Sequence, residues 1–501
     1  MKWNTILCIL CVFEVHAIKT VKRKVIILGA GISGAASART LSKHGIRDYI
    51  VLEAQNVIGG RLKQIPFAGI KVEEGGNWFE AVGGSEEGGT ENPLWNFAKS
   101  VNLTTIRDDA QNGQDAENVS VIIGEAGELI DPKVSDQFDQ KLELATEMIA
   151  ERKKNGLEDI SLRVALSLVG WKPMSALDDL LEYKGIEEEF AGNVDTISAT
   201  YGLLTGSEFG DQSHLVVDQR GYKFIPEQLF AKANATKKIV FNAIVKNITY
   251  DKNSVTVTVA NGDVYKADYL ISTVSLGVLQ HDVITFNPPL PDWKREALAK
   301  FRMDTYTKIF LNFNTQFWDD NPYTYYASNQ KGFYPNWKNF MAPGFLSNII
   351  PKGNYVCMVT LTNAQSRRIE RLSDKEVEDE IMLVLADMYP GKNIPRPTEI
   401  HVPRWGINPF FFGSFSNWPI GMSIESWKNL VAPLNNRVFF GGEMASVESY
   451  GYVHGGYQAG INTGLDIIAC IKGKCKKKKS YPNGLKVAVQ QPVLSRRRSQ
   501  E

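Results

Sequence analysis

Residues 22–63 read KRKVIILGAGISGAASARTLSKHGIRDYIVLEAQNVIGGRLK. Val25–Leu28 is a short apolar run that predicts a strand. Gly29-Ala30-Gly31-Ile32-Ser33-Gly34 follows at once, and Ala35–Leu41 is rich in small helix formers. Tyr49–Leu52 predicts a second strand that ends at Glu53. Strand, glycine turn, helix, strand and acid form the βαβ dinucleotide fingerprint in the context it requires. Gly29 permits the tight turn, Gly31 lets the backbone approach a pyrophosphate, and Gly34 lets helix and strand pack closely. The helix N-terminus then faces the phosphates. Glu53 would take the ribose hydroxyls, and its carboxylate would repel a 2′-phosphate. Gly59-Gly60-Arg61 suits a cation placed on a diphosphate, which favours a flavin dinucleotide over a plain nicotinamide one.

The rest of the chain arranges itself around this unit. VEEGGNWFEAVGG, residues 72–84, reads as a loop packed against something flat, with Glu80 in it. Residues 103–213 read as mostly helical and polar, an inserted domain. VVDQRGYKFIPEQLF, residues 216–230, returns through a turn and a short helix. The stretch from Ile239 to Gln280 alternates as a β-meander, and a proline-rich crossing follows. Residues 293–427 mix strands and helices as the second half of the insertion. Val438–Phe440 predicts a strand running into Gly441-Gly442-Glu443. A helix opening near Gly455-Gly456 would aim a second N-terminus at the cofactor. Within the insertion, DTYTKIFLNF, residues 304–313, alternates as a strand. Thr307, Ile309, Leu311 and Phe313 share one face; Tyr306, Lys308, Phe310 and Asn312 share the other.

The 501 residues are 43% hydrophobic and 22% charged, enough for one or two cores, with a formal net charge of zero. Neutrality argues against nucleic-acid binding by the body of the protein. No apolar run reaches the length of a membrane span. The N-terminus has Lys2, an apolar run from Thr5 to Phe13, and small-residue positions at Val15-His16-Ala17, which reads as a secretory signal peptide over residues 1–20. Removing it leaves Cys357, Cys470 and Cys475, an odd set with at least one thiol unpaired or bonded to another chain. Asn102, Asn118, Asn234 and Asn247 head glycosylation sequons; the polar surroundings of Asn102 and Asn118 favour those two. Residues 474–501 carry two basic clusters and little to bury. They read as a disordered tail, either simply solvated or binding an acidic cell-wall polymer, a membrane or a sorting receptor.

These segments together resemble the flavin amine oxidase family, and within it the secreted plant polyamine oxidases. The resemblance rests on VIILGAGISGAASARTL, VLEAQNVIGGRLK, GNWFE, DQRGY, ISTVSLGVLQ, YTKIFLNF, GSFSNWPIG and FFGGE…GYVHGGYQAG, in family order over roughly residues 24–470. It implies an α/β fold: a Rossmann-like FAD-binding domain of residues 22–102, 214–292 and 428–473. Inserted in it would be an α+β substrate-binding domain of mixed sheet and helices, residues 103–213 and 293–427. It implies non-covalent FAD, because no cysteine lies between Cys357 and Cys470. Besides Gly29, Gly31 and Gly34, Glu53 would hold the ribose, Arg61 the diphosphate, Val245 the adenine through its backbone, and Glu443 the ribityl chain. Tyr452 and Val453 would line the flavin. Glu80, Glu189 and Phe190 would line a substrate tunnel with Tyr306, while Phe415 and Tyr452 flank the reacting amine. The alternation supports this by putting Tyr306 and Lys308 on one face. Lys308 would be the catalytic residue near the flavin, its pKa lowered by burial, holding a water or accepting a proton. The implied reaction oxidises spermidine or spermine beside the secondary amine and reduces O₂ to H₂O₂. Terminal breakdown to an aminoaldehyde and 1,3-diaminopropane is favoured over back-conversion. Another amine or L-amino-acid oxidase, or a non-catalytic flavin-binding secreted protein, are the competing readings. No metal is expected, and the protein is expected to be a monomer in the cell wall or, because of its tail, the vacuole.

Overall fold

A computed structural model describes residues 18–86, 88–108, 120–204 and 209–475. The expected signal peptide up to Ala17, Asn118 and the tail beyond Cys475 lie outside the described residues. An eight-stranded sheet forms the first layer. Its centre is β1 (Thr20–Leu28), parallel to β2 (Tyr49–Leu52) on one side and to Val264–Ser272 on the other. Ile239–Val240 extends it beyond β2, and Val438–Phe440 pairs with Val264–Ser272. The predicted meander appears as Val245–Tyr250, Val255–Val259 and Val264–Ser272. β1 starts at Thr20 rather than at Val25, because its polar first half pairs with the exposed end of Val264–Ser272. Its last four residues are fully buried, as a parallel strand covered on both faces demands.

Helix α1 (Ile32–Lys43) lies on this sheet against the Val453–Ile471 helix. The contact is close because its residues are small: Ser37 Oγ donates to the Gly460 carbonyl at 2.9 Å. That C-terminal helix begins at Val453, two residues before the predicted opening. Its glycines serve packing rather than initiation, since a Cβ at Gly460 would sit 2.2 Å from the Ser33 carbonyl oxygen.

A seven-stranded sheet forms the second body, in the order Glu399–His401, Tyr306–Phe313, Tyr355–Thr362, Asn336–Asn339, Tyr323–Ala327, Ser120–Gly124, Leu129–Ile130. One face packs Ile309, Leu311, Phe313, Cys357, Val359 and Leu361 against Val377, Ile381 and Leu385 of the Asp374–Met388 helix. The opposite face is the floor of the candidate site. Register places Lys308, Thr360 and Asn336 in one row across it, and Phe310, Met358, Lys338 and Tyr323 in the next. Helices Ser135–Lys154, Leu162–Leu168 and Ala176–Glu182 pack into a separate core of the insertion.

Two readings are corrected. Residues 103–213 contribute three strands as well as helices, because Ser120–Gly124 and Leu129–Ile130 complete the second sheet and Thr105–Arg107 joins a third. Residues 72–84 are not a plain loop: Ile70–Glu73 and Trp78–Val82 are strands. The latter pairs with Gln212–Val216, which also pairs with Thr105–Arg107. The boundaries expected at 102/103 and 213/214 therefore fall within this small sheet.

Candidate active site

The glycine turn is built as its sequence requires. Gly29 has φ +98°, a left-handed conformation that favours glycine. A Cβ at Gly34 would lie 2.0 Å from the Gly29 carbonyl oxygen. The N-terminus of α1 has no side-chain cap, so its first amides are open to an anion. Gly31 bridges to Gly59, bringing the two glycine motifs together. Glu53 is buried at the end of β2, accepting from the Ala30 amide at 2.7 Å and the Gln55 amide at 2.9 Å. Arg61 pairs with Glu443 at 2.8 Å and donates to the Ser414 carbonyl at 2.9 Å. Glu443 also accepts from the Ser416 hydroxyl and, at 3.0 Å, from the Gly451 amide. An uncapped helix start, a glycine cradle, a ribose-reaching acid and a guanidinium fit a flavin dinucleotide. Val245 stands apart from the phosphate cradle, opposite Val259 in the meander; Ala243, two residues earlier, donates its amide to the Glu53 carbonyl at 2.8 Å.

Lys308 rises from the floor of the second sheet and is 4% exposed. Its ammonium donates to the Gly75 carbonyl and to Asn77 Oδ1, and it lies 5.3 Å from the Trp78 ring centre. All three neighbours come from the stretch that also carries Glu80. Tyr306 and Phe415 meet with ring centres 5.8 Å apart. Phe415 packs on Gly451, beside Tyr452. Tyr452 caps the start of the C-terminal helix, and Val453 lies over Gly76. The Tyr452 hydroxyl donates to Glu189, Asn336 Nδ2 donates to Glu188, and the Ser213 hydroxyl donates to Glu80. Glu80 and Glu188 are half-buried and Glu189 is exposed, and the charge of Glu189 acts on both of the others. Phe190 is half-buried where two cores meet, and its carbonyl accepts from Asn417 at 3.0 Å.

Residues 32–468 match the family of flavin containing amine oxidoreductases. The chain belongs to that family. It is 38% identical over 487 residues to "Polyamine oxidase 1" of Zea mays, covering 91% of this chain and 93% of that protein. It is likewise 38% identical to "Polyamine oxidase 6" of Oryza sativa subsp. japonica, over 91% of this chain and 93% of that one. A solved structure of putrescine oxidase with bound putrescine aligns with TM-score 0.71 over 90% of this chain and all of its own, at 20% identity; this likeness concerns the fold. The protein is an FAD-dependent oxidoreductase acting on amines. The cradle of Gly29, Gly31, Gly34, Glu53 and Arg61 would hold FAD, which would supply the two-electron acceptor.

The electrostatics of the oxidase suit that chemistry. Burial pulls the Lys308 amine down to about 7, opposed by the carboxylates of Glu73 and Glu74. The expectation of a lysine softened by desolvation therefore holds in direction. Burial and the repulsion of Glu189 push Glu80 up to about 8. Burial first, then Glu189, lift Glu188 to about 7. Glu189 is raised by burial too, against the Tyr452 hydroxyl that favours its charged form. All three carboxyls are raised, and a cation beside them would favour their ionised forms. Burial holds the phenols of Tyr306 and Tyr452 far above their usual range, so both are neutral donors.

Sequence reasoning missed several members of the site. Asn77 and Gly75 hold the lysine, and the GGNW spelling alone does not show which of its residues points inward. The acidic run does not by itself choose between Glu189 and its neighbours; Glu188 joins the site through Asn336, 148 residues away in the chain. Buried Glu73, whose carboxyl is pushed up to about 8 by burial, stands behind Lys308. Lys338 and Asp108 are absent from every motif. Among the described residues no cluster of His, Cys, Asp and Glu is arranged to hold a metal, and no helix is long and apolar enough to cross a membrane.

Proposed function

We propose that this oxidase acts on spermidine and spermine, oxidising a carbon next to the secondary amine and releasing an aminoaldehyde and 1,3-diaminopropane. The convergence of Glu80, Glu188 and Glu189 on one aromatic-walled space beside Lys308 carries this reading. Spaced cationic nitrogens need spaced carboxylates, and methylenes need rings. The names of the maize and rice relatives support it. The reacting nitrogen must be neutral, and Lys308, lowered to about 7 and so partly neutral near that pH, orients water or accepts a proton there. An α-amino acid would call for an arginine on its carboxylate. Arg220 is committed to Asp218 at 2.6 Å and Arg404 to Asp374 at 2.6 Å.

The proposal extends to secretion. A Cys470–Cys475 disulfide closes the C-terminal helix, and disulfides persist in oxidising compartments. Cys357 is left as the free thiol among the described residues, buried, with its pKa pushed up by desolvation. Asn102 is exposed at a turn, open to a glycan. Asn234 and Asn247 are exposed as well, Asn247 on a strand. Cell wall and vacuole are both destinations open to such a chain.

An H₂O₂ assay with spermidine, spermine, N-acetylspermine and tyramine tests the substrate class. Turnover of tyramine in preference to the polyamines would overturn it. Product identification tests the cleavage side: spermidine formed from spermine would mean back-conversion, and 1,3-diaminopropane the proposed route.

A further inference from the structure

One row along from Lys308 and two strands over, a second lysine stands on the same sheet floor. Lys338 and Asp108 form an ion pair at 2.6 Å, with side chains 1% and 2% exposed. The ammonium also contacts the Tyr323 hydroxyl and lies 4.1 Å from the Tyr323 ring centre and 4.3 Å from that of Phe345. Trp78 joins the two lysines: its indole N–H donates to Asp108 at 2.7 Å, and its ring centre is 5.3 Å from Lys308 and 5.6 Å from Lys338.

This pair borders the proposed substrate space. The Asp108 amide donates to the Ser213 carbonyl at 2.9 Å, and the Ser213 hydroxyl donates to Glu80. Asn336, two residues before Lys338 on the same strand face, binds Glu188. Lys338 also interacts electrostatically with Glu188 and Glu80.

A buried ion pair is seldom the most stable filling for such a position; apolar residues of similar volume often do as well or better. The surroundings, a carboxylate with aromatic faces around it, are instead those that recognise a primary ammonium. A lysine side chain is a methylene chain ending in such an ammonium, chemically like the aminoalkyl end of a polyamine. We propose that Lys338 is a built-in occupant of a primary alkylammonium subsite formed by Asp108, Tyr323, Phe345 and Trp78. By closing that subsite it limits the length of amine the oxidase accepts. The inference rests on the polyamine reading given above. With Lys338 in place, Asp108 is neutralised and no substrate nitrogen can use it. Without Lys338, the carboxylate, still hydrogen-bonded by the Trp78 indole at 2.7 Å and the Tyr323 hydroxyl at 3.0 Å, regains an unpaired charge for the ammonium at the far end of a longer amine.

Two variants test this: Lys338→Ala, and Lys338→Ala with Asp108→Asn, which has the same space but no carboxylate. The expected result is that n-propylammonium, which matches the part of the side chain removed beyond Cβ, raises the melting temperature of Lys338→Ala above any effect on wild type or the double variant. The kcat/KM ratio of spermine to spermidine should rise in Lys338→Ala by about tenfold, the scale of one additional charge-assisted hydrogen bond. If Lys338→Ala accumulates only in the presence of n-propylammonium while the double variant folds without it, the subsite is equally supported. A folded Lys338→Ala with neither shift, failure of the amine to recover it, or equal binding by both variants, overturns the inference. Failure of wild type to oxidise any polyamine would instead overturn the substrate reading, and the n-propylammonium comparison would still report on the subsite.

Discussion

Lys308 shows how much one side chain owes to its surroundings. Its alternation with Thr307 and Ile309 was legible in the sequence, and so was its sharing of a face with Tyr306. Its partners, Asn77 and the Gly75 carbonyl, were not, because they lie more than 200 residues away in the chain. Lys308→Met should retain FAD but slow anaerobic flavin reduction by about a hundredfold or more, the usual scale for losing a positioned proton acceptor. Stopped-flow reduction near the wild-type rate would sink the assignment. The amine is depressed to about 7, so its neutral form gains as pH rises through that value. The reduction rate should therefore climb with pH near 7 in wild type, and that limb should vanish in Lys308→Met. The carboxyls behave in the opposite sense: Glu80 and Glu188 are raised to about 8 and about 7, so near neutrality in the free enzyme Glu80 is mostly protonated and Glu188 partly so. A bound polycation favours the charged forms, so binding should release protons and strengthen as pH rises. Calorimetry in two buffers of different ionisation enthalpy reads this directly; identical heats would refute it.

At the level of elements, the βαβ unit was readable from its short uninterrupted apolar runs and the meander from its alternation. The Trp78–Val82 strand was not, for a definite reason. Ala81 has φ +57° and the pairing with Gln212–Val216 shifts register between Phe79 and Val82. This bulge breaks the alternation that would have announced a strand. The start of the C-terminal helix was misplaced because its glycines look like a turn, whereas they admit α1. The sharpest test of the cofactor cradle is Gly34→Ala. Its methyl would meet backbone, not a flexible side chain, so helix and strand must part. The expected cost is of the order of 1–3 kcal/mol, with a lower melting temperature and loss of bound FAD. Full flavin absorbance in the purified variant would contradict the packing argument.

Across the whole molecule, the two large sheets meet where distant segments converge. Lys338 and Asp108 are 230 residues apart, and Glu80 and Ser213 are 133 apart. Such pairs leave no local pattern, which is why motif reading found one wall of the site and not the other. The secretory proposal makes its own prediction: mass spectrometry of the protein from its native route should find a chain beginning near Ile18 with a glycan on Asn102. A retained N-terminus would count against it. Thr20–Leu28 would survive that cleavage as a complete strand. The rows of the second sheet have a last consequence, for how the gene can change. Tyr306, Lys308 and Phe310 are even-numbered neighbours of a strand whose odd positions are core. A single-codon insertion just before Tyr306 would turn the lysine into the apolar layer and bring an aliphatic residue to the site. A two-codon insertion would preserve the facing. Length variation among working descendants should therefore come in pairs within this strand and be unrestricted only beyond its ends.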